Sequence, residues 1–348
     1  MTSYSVLLPF LPRRPEQILP YAGLVHWSNA SRLWQGQSVM IEPHQGFVAA
    51  AGAGFRVPTG LGVTLMPLRH PYEAALQARS LAMATGQPVI AGFGPGGRPL
   101  QQSLLGEAYR SPLTAAREYL SIVRGLLAGE TVDTRGEYFS CRAEMPRYPV
   151  PGVEIGLGVL RPGMAKLAGE VADVAVTWLT PAHYLRDTVL PAMREGAANA
   201  ANAANAVNAA NAVNAANAVN AADGKGGRGR RTPRLTAIVP LALARPDREP
   251  AELALASNAA HLQGAHYIDM LRRSGTDVAG DDPAANAKAL VDGGAFLSGD
   301  PDELVGKLGA FREAGVDEVV LNLTGVCNLY GPQAALDETK RILAALAA

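Results

Sequence analysis

The chain has 348 residues, 48% of them hydrophobic and 18% charged, and it carries 31 Lys plus Arg against 31 Asp plus Glu. This balance gives no overall field for nucleic acid or an anionic membrane surface, so we expect a small or neutral substrate. Cys141 and Cys327 lack metal-ligand spacing, which argues against a disulfide or zinc framework. Without a membrane-length apolar run or a basic signal region, the sequence predicts a cytoplasmic enzyme.

The first half of the chain alternates predicted strands with predicted helices. Apolar runs bounded by Pro or Gly predict strands at 4–8, 32–39, 61–65 and 88–93. Ser111 before Pro112 predicts a capped helix start. A hairpin around Arg135 and Gly136 is predicted as an excursion from the main fold.

The second half continues the alternation. Strands are predicted at 153–158, 173–178, 235–244 and 318–323, with one helix over 249–273 and another starting after Asp300. Eight strands alternating with helices predict an α/β fold, a TIM (β/α)8 barrel with insertions, in a single domain over 1–348. A doubly wound open sheet is the alternative.

Residues 196–231 differ in composition from the rest of the chain. An Ala/Asn repeat with a period of three is followed by a Gly/Arg-rich stretch. A helix with this period would place Asn on every face, and Asn side chains compete with the backbone for hydrogen bonds. We therefore predict a flexible low-complexity insert.

A glycine cluster follows the strand predicted at 88–93. Gly92, Gly94, Gly96 and Gly97 lie at its carboxyl end, the edge where such folds bind ligands. The spacing does not match a dinucleotide fingerprint, because Gly97 is followed by Arg98 and Pro99 and not by an expected helix start. The cluster is interpreted as a surface on which a cofactor lies, with a flexible turn as the alternative.

Several other side chains are candidates for the same edge. Arg161 and Gly163 begin a predicted helix, where free amides and a guanidinium favour a phosphate, although a solvated cap is the alternative. Trp178 could line a ring-shaped cofactor or simply pack. His44 is either structural or directed into a cleft. His261 and His266 are five residues apart, which argues against a metal site.

Five segments in order carry a family resemblance: RLWQGQS, the stretch 60–96, SPLTAAREYLSIVRGLLAGE, LRPGMAKLAGEVADVAVTW and GDPDELVGKLGAFREAGVDEVVLNL. Together they resemble the bacterial luciferase-like flavin and deazaflavin oxidoreductases. The resemblance implies a TIM barrel that binds FMN or coenzyme F420 at its C-terminal mouth. It implies cofactor contacts at Gly62, Thr64, Leu65 and Met66 under the ring, Gly92 and Gly94 at its border, Gly158, Arg161, Gly163 and Met164 at the phosphate, and Trp178 at the mouth.

One departure from the family pattern concerns proton transfer. Gln37 and Ser38 stand where the resemblance implies an acidic residue and a His. This argues against alcohol oxidation, which needs a positioned base. His44 and Gln37 are the catalytic candidates, with Glu42 nearby.

The resemblance extends to luciferase-like reductases of lanthipeptide biosynthesis, which convert dehydroalanine in a peptide to D-alanine. It implies a reduced-F420-dependent reductase acting on an activated double bond of a small molecule or modified peptide. The alternatives are an FMN-dependent monooxygenase and a non-catalytic flavin-binding barrel. A homodimer is a further expectation.

Overall fold

The computed structural model describes residues 2–38, 40–217, 232–278 and 282–348. The strands are β1 Ser3–Leu7, β2 Leu33–Gln35, β3 Thr59–Leu65, β4 Val89–Gly94, β5 Thr131–Arg135, β6 Ser140–Glu144, β7 Val153–Gly158, β8 Val174–Trp178, β9 Arg234–Leu243, β10 Leu297–Gly299 and β11 Glu318–Asn322.

The helices follow the strands along the chain. They are α1 Leu19–His26, α2 His44–Gly52, α3 Pro71–Thr85, α4 Arg98–Leu105, α5 Pro112–Leu127, α6 Pro162–Val171, α7 Ala182–Tyr184, α8 Leu190–Asn217, α9 Pro250–Leu262, α10 Ala265–Arg273, α11 Pro283–Asp292, α12 Pro301–Glu313 and α13 Thr324–Ala347. Ser111 caps α5 by accepting a hydrogen bond from the Thr114 amide, as predicted. None of these helices is both long and apolar enough to cross a bilayer.

Eight parallel strands close into a barrel in the order β1, β2, β3, β4, β7, β8, β9, β11, with β11 pairing back to β1. Strands β4, β8 and β11 are almost entirely buried, as expected for strands enclosed by side chains inside and helices outside. The predicted TIM barrel is therefore confirmed. The predicted hairpin is also present as the antiparallel pair β5 and β6.

Large apolar side chains fill the barrel interior. The indole of Trp34 packs with Ile90, Val176, Ile238 and Val320. A side chain at Gly60 would overlap this indole, and one at Gly62 would lie 2.7 Å from Ile238. These two glycines in β3 therefore make room for the interior packing.

A buried carboxylate connects three strands inside the barrel. Glu318 at the start of β11 accepts hydrogen bonds from Ser5 Oγ at 2.6 Å and from Trp34 Nε1 at 2.8 Å. Arg32 Nε lies 3.4 Å from the same carboxylate. Burial lowers the pKa of Arg32, although the charge of Glu318 opposes this shift. The cluster joins β11, β1 and β2 at the side of the barrel away from the strands' carboxyl ends.

Four local predictions need correction. Helix α4 begins at Arg98, so the assumption that no helix follows Gly97 was wrong. Strand β2 is shorter than predicted because the chain leaves the sheet at Gly36. The helix predicted over 249–273 is two helices, α9 and α10, interrupted at Gly264. Strand β10 and helix α11 were not predicted.

The predicted insert begins inside α8. This helix continues through the first part of the Ala/Asn repeat and reaches Asn217, while 218–231 lie outside the described residues. Its buried Gly196 packs directly on Gly169 of α6, where a side chain at either position would overlap backbone atoms of the other helix. The flexibility of the insert stays a prediction.

Strand β9 is ten residues long and has two sets of neighbours. Its first part pairs with β8 and with β11 as far as Pro240, and Leu241–Leu243 pair with β10. Two cavities lie away from this end of the barrel. One of about 370 Å³ is lined by the β5–β6 hairpin, and one of about 570 Å³ lies near Tyr4 and Arg312.

Candidate active site

The end of β3 has an unusual backbone at the barrel mouth. The Gly62–Val63 peptide bond is cis, and the pairing with β4 shifts register between Leu61 and Thr64. Side chains placed at Gly94 and Gly158 would lie 2.8 Å and 3.4 Å from Val63 methyl groups. The missing side chain of Gly94 therefore accommodates Val63, and so does that of Gly92, which also lies against the backbone of β3. A side chain at Gly158 would only be in ordinary contact with Val63. A role under a cofactor ring stays a prediction.

Two polar side chains hold the end of β3 in place. Thr64 Oγ1 donates to the Gly92 carbonyl at 2.9 Å. Gln37 accepts a hydrogen bond from the Leu65 amide at 3.1 Å. Met66, the next residue, is buried. Gln37 thus has a positioning contact, since its side-chain oxygen is engaged by the backbone of the neighbouring strand.

The loop after β2 contains a carboxylate–imidazole pair. His44 Nδ1 is hydrogen-bonded to Glu42 Oε1, and the His44 amide donates to Glu42 Oε2 at 2.8 Å. Arg69 Nη2 lies 3.8 Å from the same carboxylate. Burial raises the pKa of Glu42, but the hydrogen bonds from His44 and the charges of His44 and Arg69 outweigh it, so the pKa is lowered.

The contacts of His44 determine which of its ring nitrogens is available for proton transfer. Its side chain is only 11% exposed, and its Nδ1 is engaged by an ionised carboxylate. The carboxylate fixes the ring orientation by engaging Nδ1, which leaves Nε2 as the atom that can exchange a proton with a ligand. The sequence suggested His44 and Glu42 as substitutes for the expected pair, but only the fold brings the two side chains together.

Aromatic rings line the other side of the mouth. Trp178 at the end of β8 stacks on His261 of α9, with centroids 5.1 Å apart and planes inclined by 21°. Tyr267 of α10 contacts His261 edge-on at 4.9 Å. Burial, and then the charge of His266, lower the pKa of His261 to about 4, so its imidazole is neutral near pH 7. No sequence pattern indicates this stack, since more than 80 residues separate Trp178 from His261.

Arg161 precedes the first turn of α6 as its N-cap residue. Its guanidinium lies 3.3 Å from Asp269 of α10. Gly163 is exposed and Met164 partly exposed in the same first turn. His266 of α10 comes close to the glycine turn after β4, since a side chain at Gly97 would lie 3.7 Å from its ring. Helix α10 therefore lies over the mouth between the ends of β4 and β7.

The structure brings the predicted site residues onto one arc of the mouth. The arc follows the neighbouring strands β2, β3, β4, β7 and β8 and the loops after them. It carries His44 and Gln37 at β2, Gly62, Thr64, Leu65 and Met66 at β3, Gly92 and Gly94 at β4, Gly158, Arg161, Gly163 and Met164 at β7, and Trp178 at β8. No cluster of three or more potential metal ligands occurs among the described residues.

The residues present fit a flat ring with a phosphate. Trp178 Nε1 and His261 Nδ1 are buried with no hydrogen-bond partner within the described parts of the chain. Buried polar atoms normally have partners, so a ligand at this surface would provide them. The first turn of α6, together with Arg161, offers amide and guanidinium donors to an anion.

Comparison with known proteins identifies the family. Residues 26–318 match the luciferase-like monooxygenase family, and the chain belongs to it. A 117-residue segment is 32% identical to 5,10-methylenetetrahydromethanopterin reductase of Methanolobus tindarius. The match covers 34% of this chain and 36% of that protein, so the chain spans only about a third of this relative's length.

Two solved structures share the fold over nearly the whole chain. The coenzyme F420-dependent tetrahydromethanopterin reductase from Methanopyrus kandleri has a TM-score of 0.69 at 20% identity, covering 99% of this chain and 97% of its own. The oxygenating constituent of 3,6-diketocamphane monooxygenase of Pseudomonas putida, in complex with FMN, has a TM-score of 0.65 at 18% identity, covering 99% and 98%. By their names, the first of these structures depends on coenzyme F420 and the second contains FMN.

Proposed function

We propose that this protein is a reductase that uses reduced F420 to saturate an activated double bond. The substrate we propose is dehydroalanine in a modified peptide, with D-alanine as the product. Family membership and the F420-dependent relatives support the cofactor, and the ordered sequence motifs support the substrate class. The observation that carries the proposal is the partly buried Glu42–His44 pair, which Arg69 connects to the segment after β3.

The reaction requires one hydride and one proton. A bound reduced deazaflavin supplies the hydride. The hydride adds to the methylene carbon of dehydroalanine, and the electron pair of the double bond moves to the α carbon and the adjoining carbonyl. His44 then delivers a proton from Nε2 to the α carbon, while Glu42 holds the imidazole in place through Nδ1. Solvent restores the proton after product release.

The remaining residues of the arc bind and orient. Arg161 and the first turn of α6 hold the phosphate of the cofactor. Trp178 would border its ring. Gln37 would keep the end of β3 in place for the ring, because it accepts a hydrogen bond from the Leu65 amide. The buried setting of His44 limits access of water to the proton donor.

Anaerobic turnover tests the proposal. Purified protein is mixed with reduced F420 and a dehydroalanine peptide, and oxidation of the cofactor is followed by absorbance at about 420 nm. We expect oxidation only when peptide is present, with a mass gain of two hydrogens on the peptide. His44→Asn is expected to lower kcat about 100-fold and to leave cofactor affinity unchanged, because the change removes general acid catalysis. His26→Asn, on the exposed end of α1, is the matched control.

Other results would redirect the assignment. Oxygen-dependent turnover with reduced FMN and none with F420 would identify a monooxygenase instead. Binding of either cofactor without turnover would support a non-catalytic barrel. Full activity of His44→Asn would remove His44 from the proton transfer.

A further inference from the structure

Two cations share one carboxylate at the start of α6. Asp269 Oδ2 lies 3.3 Å from Arg161 Nη1 and 3.0 Å from Arg273 Nε. Arg273 is four residues after Asp269 on α10, whereas Arg161 belongs to the loop after β7. The guanidiniums are 52% and 56% exposed, so both can also reach a ligand.

A buried hydroxyl lies within the electrostatic influence of the same three charges. Tyr184 is 3% exposed, and its hydroxyl has no hydrogen-bond partner within the described residues. Burial raises the pKa of Tyr184, and the charges of Arg273, Asp269 and Arg161 act on the same hydroxyl. This hydroxyl is a donor without an acceptor, so an anion held by the arginines would complete its hydrogen bonding.

The local charge of this subsite is small. Two guanidiniums and one carboxylate leave a single positive charge. His266 adds none near pH 7, because burial and the nearby charge of Arg161 lower its pKa. The repulsion between the Asp269 carboxylate and a bound anion scales with the charge of the anion, so it opposes an anion with two negative charges about twice as strongly as an anion with one.

We infer that Asp269 discriminates at this subsite against a doubly charged phosphate monoester relative to a singly charged phosphodiester. The inference rests on the proposed function, which places the cofactor phosphate at the first turn of α6. Near pH 7.5 a phosphate monoester carries close to two charges, since its second pKa is about 6. A phosphodiester carries one. Asp269 thereby favours a phosphodiester cofactor such as F420 over FMN.

A charge series of flavins tests the role of Asp269 without turnover. The probes are riboflavin, the monomethyl phosphate ester of FMN, and FMN, with charges of zero, one and two on the same ring. Dissociation constants are measured by flavin fluorescence at low ionic strength for the wild type and Asp269→Asn. Asp292→Asn is the control, because Asp292 forms the same type of i,i+4 ion pair, with Lys288, on a different helix.

Asp269→Asn removes one negative charge and is expected to tighten binding of the ester about threefold, an effect within the range of interaction energies of exposed charge pairs. Coulomb energy scales with charge, so FMN is expected to tighten about tenfold, the square of that factor. Riboflavin affinity should not change, and the differences should shrink in about 0.5 M salt. Tyr184→Phe should weaken binding of the ester and of FMN about tenfold, which is the lower end of the range for a hydrogen bond to a charged group. The affinity for riboflavin should not change.

Equal fold-changes for all three flavins in Asp269→Asn would overturn the selectivity role. Wild-type protein that binds FMN no better than riboflavin would overturn the phosphate subsite itself. Either result could accompany normal oxidation of reduced F420 by a dehydroalanine peptide, so the subsite can fail while the proposed function stands. Loss of F420 turnover with the expected flavin series intact would be the reverse case.

Discussion

At the scale of single residues, the stacked pair Trp178 and His261 determines how the mouth responds to acid. The imidazole is held against the indole in a setting that disfavours its charged form, and its pKa is about 4 compared with the ordinary 6.5. In the unfolded chain the same imidazole takes up a proton below pH 6.5. The unfolded state therefore binds more protons than the native state between these two values.

We predict that the wild-type protein loses about 3 kcal/mol of stability through His261 as the pH falls from 6.5 to 4. The stabilisation is fully present above pH 6.5 and decreases as the pH falls. His261→Gln should flatten this part of the profile, as measured by urea midpoints at pH steps between the two values. The slopes of stability against pH are compared, and not the absolute stabilities, since the substitution also changes packing.

His26→Gln provides the control for this profile, because His26 is exposed at the end of α1. It should leave the slope as in the wild type. If His261→Gln kept the full pH dependence, other groups would be responsible and the imidazole would titrate normally in the native state.

The candidate site residues were predicted from local chemistry. Arg161 became a candidate because a helix start with a guanidinium is visible in the sequence, and Trp178 because it ends an apolar run. His44 was predicted only as an ambiguous candidate. Its partnership with Glu42 depends on the fold of a loop, and the contact of Trp178 with His261 depends on two distant elements meeting. Pattern rules do not contain such information.

At the scale of elements, two glycines set the distance between α6 and α8. Gly169 and Gly196 face each other closely enough that a methyl group on Gly196 would overlap the Lys166 carbonyl. Backbone atoms cannot move aside as the end of a flexible side chain can. The packing of α8 on the barrel therefore depends on the absence of a side chain at this position.

We predict that Gly196→Ala destabilises the protein by about 2 kcal/mol, measured by chemical denaturation. Overpacking costs about 1–3 kcal/mol, which exceeds the gain in helix propensity of about 1 kcal/mol. Gly52→Ala, in α2, is the control because no atom lies within 4 Å of the added methyl. It should be neutral or slightly stabilising. Equal stability of the two variants would show that the helices separate without cost.

Element boundaries were predicted best where Pro and Gly mark them. Ser111–Pro112 and Asp300–Pro301 are real helix starts, with side-chain caps in both cases. Strand β10 was missed because it has only three residues and pairs with the extension of β9. The break at Gly264 was missed because a single glycine inside a helical pattern does not by itself end a helix.

At the scale of the whole molecule, closure of the barrel places a carboxylate where three strands meet. Glu318 receives Ser5, Trp34 and Arg32 from strands more than 280 residues earlier in the chain. Removing one member of such a buried group leaves the others unpaired, which is more costly than the net contribution of the group. The number of barrel strands was predictable from apolar runs, but this closure contact was not.

We predict that Glu318→Gln destabilises the barrel by about 3 kcal/mol, because Arg32 then keeps a buried charge without its counter-ion. Cofactor affinity should change little, since the cluster lies away from the mouth. Urea unfolding measures the first effect and cofactor titration the second. Glu107→Gln, on an exposed turn, should leave both unchanged. A Glu318→Gln protein as stable as the wild type would show that the cluster is dispensable for closure.

Strand β9 also has a consequence for stereochemistry. Its last three residues continue past the end of β11 and, with β10, extend by about 10 Å beyond the neighbouring strand on one side of the mouth. If the proposed function holds, a planar alkene bound against this raised edge would present only one prochiral face to a hydride donor on the opposite side. Under the proposed function, reduction of a trisubstituted double bond should therefore give a single enantiomer, and a deuterium label on the donor should appear at one diastereotopic position of the product.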